Sequence, residues 1–126
     1  MNECIFCKFK NNSSELIYQN KNFYSRLDSY PISYGHSLII SKNHLDSFFD
    51  LNDEELSDFY EVLKETRNCL LKEFKPASFN IGINDGEIAG RTIPHLHIHL
   101  IPRYINDVDD PRGGIRNFMK NLVKYP

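Results

Sequence analysis

In the stretch RTIPHLHIHLIPRY, residues 91–104, His95, His97 and His99 alternate with Leu96, Ile98 and Leu100. Successive side chains of a strand point to opposite faces, so the three imidazoles are expected on one face and the three aliphatic residues on the other. Along a strand they would lie roughly 6.5 Å apart, which suits several groups gathered around one phosphate. Three of the five histidines of the chain fall here, so a polar sheet face that merely happens to carry histidine is a poor account of the pattern. Alternating histidines can also chelate zinc or iron, but the segment holds no carboxylate to accompany them. The chemistry that fits best is nucleophilic catalysis at phosphorus. One neutral imidazole attacks and forms a covalent phospho-His, while a neighbour donates to the phosphate oxygens as they gain charge. An unperturbed pKa of about 6.5 leaves much of an imidazole neutral for this purpose.

A second constellation lies in MNECIFCKFK, where Cys4 and Cys7 form C-x-x-C. That spacing lets two thiolates grip one tetrahedral zinc, with two ligands still to be found. A redox pair of this kind belongs at a strand-to-helix junction, which a start four residues into the chain does not offer. Cys69 falls near the apolar stripe of a helix and is expected to be a buried small hydrophobe.

The elements that must position these groups can be read from periodicity. ELIYQNKNFYSRLDS contains two short β-rich runs parted at Gln19–Lys21, which predicts a hairpin, and YGHSLIISK predicts a third strand. Leu56, Phe59, Tyr60, Leu63, Leu70 and Phe74 recur at three- and four-residue spacing and predict a helix from about Asp53 to Phe74. Asn52 and Glu55 make a capping box at its start, and Pro76 a stop. SFNIGIND and HLHIHLIPR predict two more strands around a Gly-containing loop, and the tail after Asp107 holds a loop and a short C-terminal helix. The expected class is α+β, a mainly antiparallel five-stranded sheet with one long helix, in a single domain spanning residues 1–126.

The 126 residues are 40% hydrophobic and 25% charged, with a net charge of -2. That composition belongs to a globular protein that buries a real core. It lacks the basic excess that phosphate-neutralising nucleic-acid binders carry, so no nucleic-acid partner is expected. No run approaches a membrane span, and the N-terminus lacks the pattern of a secretory signal. A reducing, cytoplasmic location is therefore expected, where cysteines serve metals more often than disulfides.

HLHIHLI matches at every position the His-apolar-His-apolar-His-apolar-apolar signature of the histidine triad (HIT) superfamily of nucleotide hydrolases and transferases. YPISYGHSLIISKNHLDSFFDL, the long helix, NIGINDGEIAGRTIPHLHIHLIPRY and DVDDPRGGIR resemble segments of its bacterial members, so the resemblance covers nearly the whole chain and implies a HIT-like fold. It implies that the triad His95, His97 and His99 is catalytic, with His97 attacking the α-phosphorus and His99 binding phosphate and stabilising its charge. Asn84 and Thr92 match positions that contact phosphate or leaving group. Asp28 matches an acceptor for ribose hydroxyls, and His36 a histidine that orients the nucleophilic ring. A turn carboxylate and a core histidine are the alternative readings of these two. Arg91 stands where many members have Gln. Its guanidinium can donate to a longer, more anionic polyphosphate, or it can face solvent.

By the same resemblance, His44 and His95 join Cys4 and Cys7 as ligands of a structural zinc, with no open position for water. Relatives without the cysteines exist, so an empty site is the alternative. The implied activity is hydrolysis or nucleotidyl transfer on diadenosine polyphosphates through a nucleotidyl-His97 intermediate. The alternatives are a nucleoside phosphoramidase, a nucleotide-binding or interaction module with little turnover, and a His-strand metalloenzyme. Family members are commonly homodimers whose sheets join.

Overall fold

The computed structural model describes residues 4–9 and 15–116. A short helix, α1 (Ile5–Phe9), precedes the hairpin of β1 (Leu16–Gln19) and β2 (Phe23–Leu27). Asn20 shapes the hairpin turn, its Oδ1 accepting from the backbone amides of Asn22 and Phe23 at 3.2 and 3.0 Å. β3 (Ser37–Ser41), α2 (Asp53–Glu73), β4 (Ser78–Gly82) and β5 (His97–Arg103) follow. The five strands form one sheet in the order β1-β2-β3-β5-β4, antiparallel at every pairing. The expected α+β architecture, a five-stranded antiparallel sheet with one long helix, is what the chain adopts.

α2 begins where its capping residues require. The Asn52 side chain accepts from the Glu55 amide at 2.8 Å, and the Glu55 carboxylate accepts from the Asn52 amide at 3.0 Å, an arrangement worth about 1 kcal/mol. It ends against Lys75, whose φ of 52° is left-handed, just before Pro76. Phe59, Val62, Thr66 and Leu70 form its buried face. Leu56, Tyr60 and Cys69 are exposed, contrary to the expected stripe and to a buried Cys69. With 3.6 residues per turn, Tyr60 and Cys69 fall about 100° and 80° to either side of Phe59, at the flanks of the contact.

The sheet has two different faces. On one, Phe23, Ile39, Ile98 and Leu100, joined by Leu96, pack under α2. Each such side chain is worth roughly 1.5–3 kcal/mol when fully buried. On the other, Tyr24, Leu38 and Ile40 pack against Phe6 of α1. Register places His97 opposite Ile40 and His99 opposite Leu38, so these two imidazoles lie on the α1 side while Ile98 and Leu100 point into the α2 core.

Two expected boundaries shift. β5 begins at His97, so His95 is not part of it: the chain turns at 93–95, with His95 N–H bonded to Ile93 O at 2.8 Å. Pro94 has no amide to offer a ladder there. Asn84 lies in the loop beyond the end of β4 at Gly82. In the tail the described residues end with a 3-10 turn at Gly114–Arg116, and residues 117–126, where the tail expected to hold a short helix continues, lie outside the described residues. Among the described residues no helix is long and apolar enough to cross a membrane.

Gly35 delivers the chain from the 28–36 loop into β3. Its φ is +85°, and a Cβ there would stand 2.9 Å from the Phe74 ring at the end of α2. Gly35→Ala should therefore destabilise the fold by about 1–3 kcal/mol, read as a lower midpoint in urea.

Candidate active site and metal cluster

A cleft of about 320 Å³ opens on the α1 side of the sheet. Its polar lining includes Asp28, Asn84, Arg91, Thr92, His97 and His99. Its apolar lining includes Ile5, Phe6, Phe9, Leu38 and Ile93, with the Phe6 ring 4.8 Å from that of His97. Six of the eleven residues singled out from the sequence thus share one cavity. The α1 residues went unnoticed there, although Ile5, Phe6 and Phe9 have the apolar spacing of a helical face.

The loop at residues 83–96 is stitched to the segment that carries His44. Asp85 accepts from Ser47 Oγ and the Phe48 amide, both at 3.1 Å, and the Leu96 amide donates to Leu45 O at 2.8 Å. Arg91 Nη1 donates to Asp46 O at 2.7 Å and pairs with its carboxylate at 2.9 Å. Arg91 therefore neither lies free in solvent nor is devoted to the cleft alone; it clamps the loop while its charge stays close enough to disfavour protonation of His97.

Two neighbouring imidazoles are held in opposite tautomers by backbone groups. His97 Nδ1 lies 2.7 Å from His95 O. A carbonyl only accepts, so Nδ1 carries the proton and Nε2 keeps its lone pair. The Ile32 amide donates to His36 Nδ1 at 3.1 Å, so in neutral His36 the proton is on Nε2, 3.0 Å from His99 Nδ1. His99 Nδ1 must then accept, which leaves its Nε2–H as a donor. One ring offers a nucleophilic nitrogen and the next a hydrogen bond to charge developing beside it. His36 thus positions His99, not the His97 ring as expected, and it stands behind the cleft rather than in it. Asp28 caps the turn through the Tyr30 amide at 2.9 Å and lies 3.4 Å from His36 Nε2.

Burial is the largest influence on all three rings and lowers each pKa below the ordinary value. For His97 it is offset in part by the bond to His95 O and by Asp28, and reinforced by Arg91. For His99 the neighbouring His97 and His36 push the same way, against Asp28. For His36 only Asp28 opposes burial. Each ring is therefore neutral at pH 7, as the chain of single protons requires.

Cys4, Cys7, His44 and His95 converge separately. Cys4 Sγ and Cys7 Sγ lie 3.2 and 3.5 Å from His95 Nδ1, Cys7 Sγ lies 3.4 Å from His44 Nδ1, and the two Nδ1 atoms are 3.1 Å apart. Zinc with ordinary bond lengths sets such donors roughly 3.3–3.8 Å apart, close to the observed packing. His95 is buried, and its Nε2 lies 2.7 Å from Ser41 O. That carbonyl puts the proton on Nε2 and turns the Nδ1 lone pair toward the thiols, as a metal ligand needs. The residues present fit a tetrahedral S2N2 site.

Residues 10–106 match the family described as HIT domain. The chain is 36% identical over 113 residues to an uncharacterised HIT-like protein of Methanocaldococcus jannaschii, covering 88% of this chain and 87% of that one. It is 36% identical over 90 residues to the asymmetrical bis(5'-nucleosyl)-tetraphosphatase of Schizosaccharomyces pombe, covering 71% of this chain and 50% of the relative. A zinc-bound histidine triad family protein from Mycobacterium smegmatis superposes with a TM-score of 0.73 at 30% identity, over 83% of this chain and 78% of that one.

Nitrogen-resolved NMR at pH 7.5 should show His97 protonated at Nδ1 and His99 at Nε2, and His36→Phe should disturb the tautomer of His99 alone. An unfolded histidine titrates at about 6.5, and His36 and His99 titrate lower when folded. Between those values the unfolded chain binds more protons, so stability should rise with pH up to about 6.5 and fall on acidification below it. Urea midpoints at pH 5.5 and 7.5 measure this, and the difference should shrink in His36→Phe.

Proposed function

The chain belongs to the HIT domain family, and from that premise we propose that it is a nucleotide hydrolase or nucleotidyl transferase cleaving at the α-phosphorus of dinucleoside polyphosphates. The observation that carries the proposal is the opposed tautomer pair, a lone pair on His97 Nε2 beside a donor on His99 Nε2. The tetraphosphatase activity named for the Schizosaccharomyces pombe relative supports the substrate class.

In the proposed reaction His97 Nε2 attacks the α-phosphorus, the N–P bond forms, and the bond to the leaving phosphate oxygen breaks with its electron pair. The positive charge on the ring is shared with His95 O through Nδ1–H. His99 Nε2–H donates to a non-bridging oxygen that becomes more negative in the transition state. Asn84 and Thr92 bind the phosphates, Asp28 accepts from a ribose hydroxyl, and Arg91 favours the more anionic leaving groups. Water then attacks phosphorus and the N–P bond breaks, which releases a nucleoside monophosphate and a proton and restores neutral His97.

Cys4, Cys7, His44 and His95 would hold zinc, which supplies a structural cross-link and leaves no position open for substrate. The zinc-bound Mycobacterium smegmatis neighbour supports this assignment. The protein is further proposed to act as a cytoplasmic homodimer. The outer edge of β4, with Ile81 half exposed, supports a sheet continued by a second copy.

With diadenosine tetraphosphate as substrate, His97→Ala should lose at least about a thousandfold in kcat. Acid-quenched wild type should carry a nucleotidyl group on His97. Faster turnover of adenosine phosphoramidate would move the assignment to a phosphoramidase, and activity surviving in His97→Ala would remove the mechanism. Protein purified without added zinc should contain about one equivalent of metal, lost in Cys4→Ser.

A further inference from the structure

The four metal-competent side chains adjoin the cleft without lining it, the His95 ring lying 5.8 Å from that of Phe6, and they form two pairs that are held differently. His44 and His95 belong to the body of the fold. His95 is held by Ser41 O, and the adjoining backbone is tied by Leu96 N–H to Leu45 O and by Ser41 N–H to Leu96 O. Cys4 and Cys7 belong to the N-terminal segment, where they bracket Ile5 and Phe6. Those two residues, with Phe9, are the α1 contribution to the apolar wall of the cleft.

α1 has five residues, too few to be stable as an isolated helix. It makes no ladder pairing with the sheet. Its attachments include the Tyr24 hydroxyl, which donates to Phe6 O, and the Phe6 ring, 4.8 Å from that of His97 and 5.8 Å from that of His95. The Arg26 guanidinium also lies 3.8 Å from the centre of the Phe9 ring. Two thiolate–metal bonds to a site anchored in the body would add a far stiffer tie.

We propose that the Cys4–Cys7–His44–His95 metal site is a latch for α1, so that its occupancy sets the affinity for the nucleoside part of a ligand. The proposal rests on the nucleotide reading above and deepens it. A flat, weakly polar base belongs against Ile5, Phe6 and Phe9, and a phosphate chain belongs beside Asn84, Thr92, His97 and His99. Those residues belong to β5 and the 83–96 loop, whose ties to the body through Asp85, Arg91 and the Leu96 amide involve none of the four metal-competent side chains. Loss of metal therefore loosens the nucleoside wall selectively. Linkage makes the effect reciprocal: whatever factor zinc adds to nucleoside monophosphate affinity, the nucleotide adds to zinc affinity.

The test is calorimetric titration of the full chain, zinc-loaded and after chelation, with AMP and separately with inorganic triphosphate. Without zinc the AMP dissociation constant should rise about tenfold while that of triphosphate changes less than about threefold, and AMP should tighten zinc binding by the same tenfold. Zinc-loaded Ile5→Ala, at a site 43% exposed where folding is not at risk, should weaken AMP about threefold and leave triphosphate unchanged. AMP affinity indifferent to zinc would overturn the latch, as would equal losses for both ligands or loss of the far-ultraviolet dichroism on chelation. Zinc-loaded protein that binds triphosphate but not AMP would instead overturn the nucleotide reading itself.

Discussion

The backbone carbonyl of His95, 2.7 Å from His97 Nδ1, is the contact on which the site turns. It decides which nitrogen of His97 carries the proton, and so which nitrogen has a lone pair to use. The carbonyl is placed by the turn at 93–95 and by Ser41 O on His95 Nε2, while His95 Nδ1 faces Cys4, Cys7 and His44. One residue joins the metal-competent cluster to the proposed nucleophile without its side chain entering the cleft.

The antiparallel register then sets a second histidine beside the first with the opposite proton arrangement. His99 lies opposite Leu38 one row from His97, and it takes its tautomer from His36, which takes its own from the Ile32 amide. The sequence Asp28–His36–His99 brings three potential ligands together. The Ile32 amide occupies the His36 Nδ1 lone pair and leaves a proton on Nε2, so this trio is a hydrogen-bond chain and not a second metal site. Burial keeps the rings neutral, which lets a run of single protons persist at physiological pH.

Much of the framework was legible in the residues themselves. The Asn52–Glu55 capping box, the turn at Asn20 and the alternation of Ile98 and Leu100 each encode a local geometry that tertiary packing then accepted. Legibility failed where a residue's fate depended on which way an element was rotated or where a ladder started. Leu56, Tyr60 and Cys69 carry the right period but lie at the margins of the α2 contact. His95 carries the right alternation, yet the turn at 93–95 takes it out of β5 and into the metal-competent cluster. The α1 wall was hidden because five residues give too short a periodic signal to read.

The sequence alone determined the α+β order of elements, the family pattern HLHIHLI and the sharing of one sheet face by His97 and His99, because these follow from periods of 2 and 3.6 and from local caps. Only the tertiary structure sorted the three histidines by protonation and partner. A tautomer depends on the single atom facing each ring nitrogen, and those atoms come from segments far apart in the chain: Ser41 and Cys4 for His95, and His36 for His99.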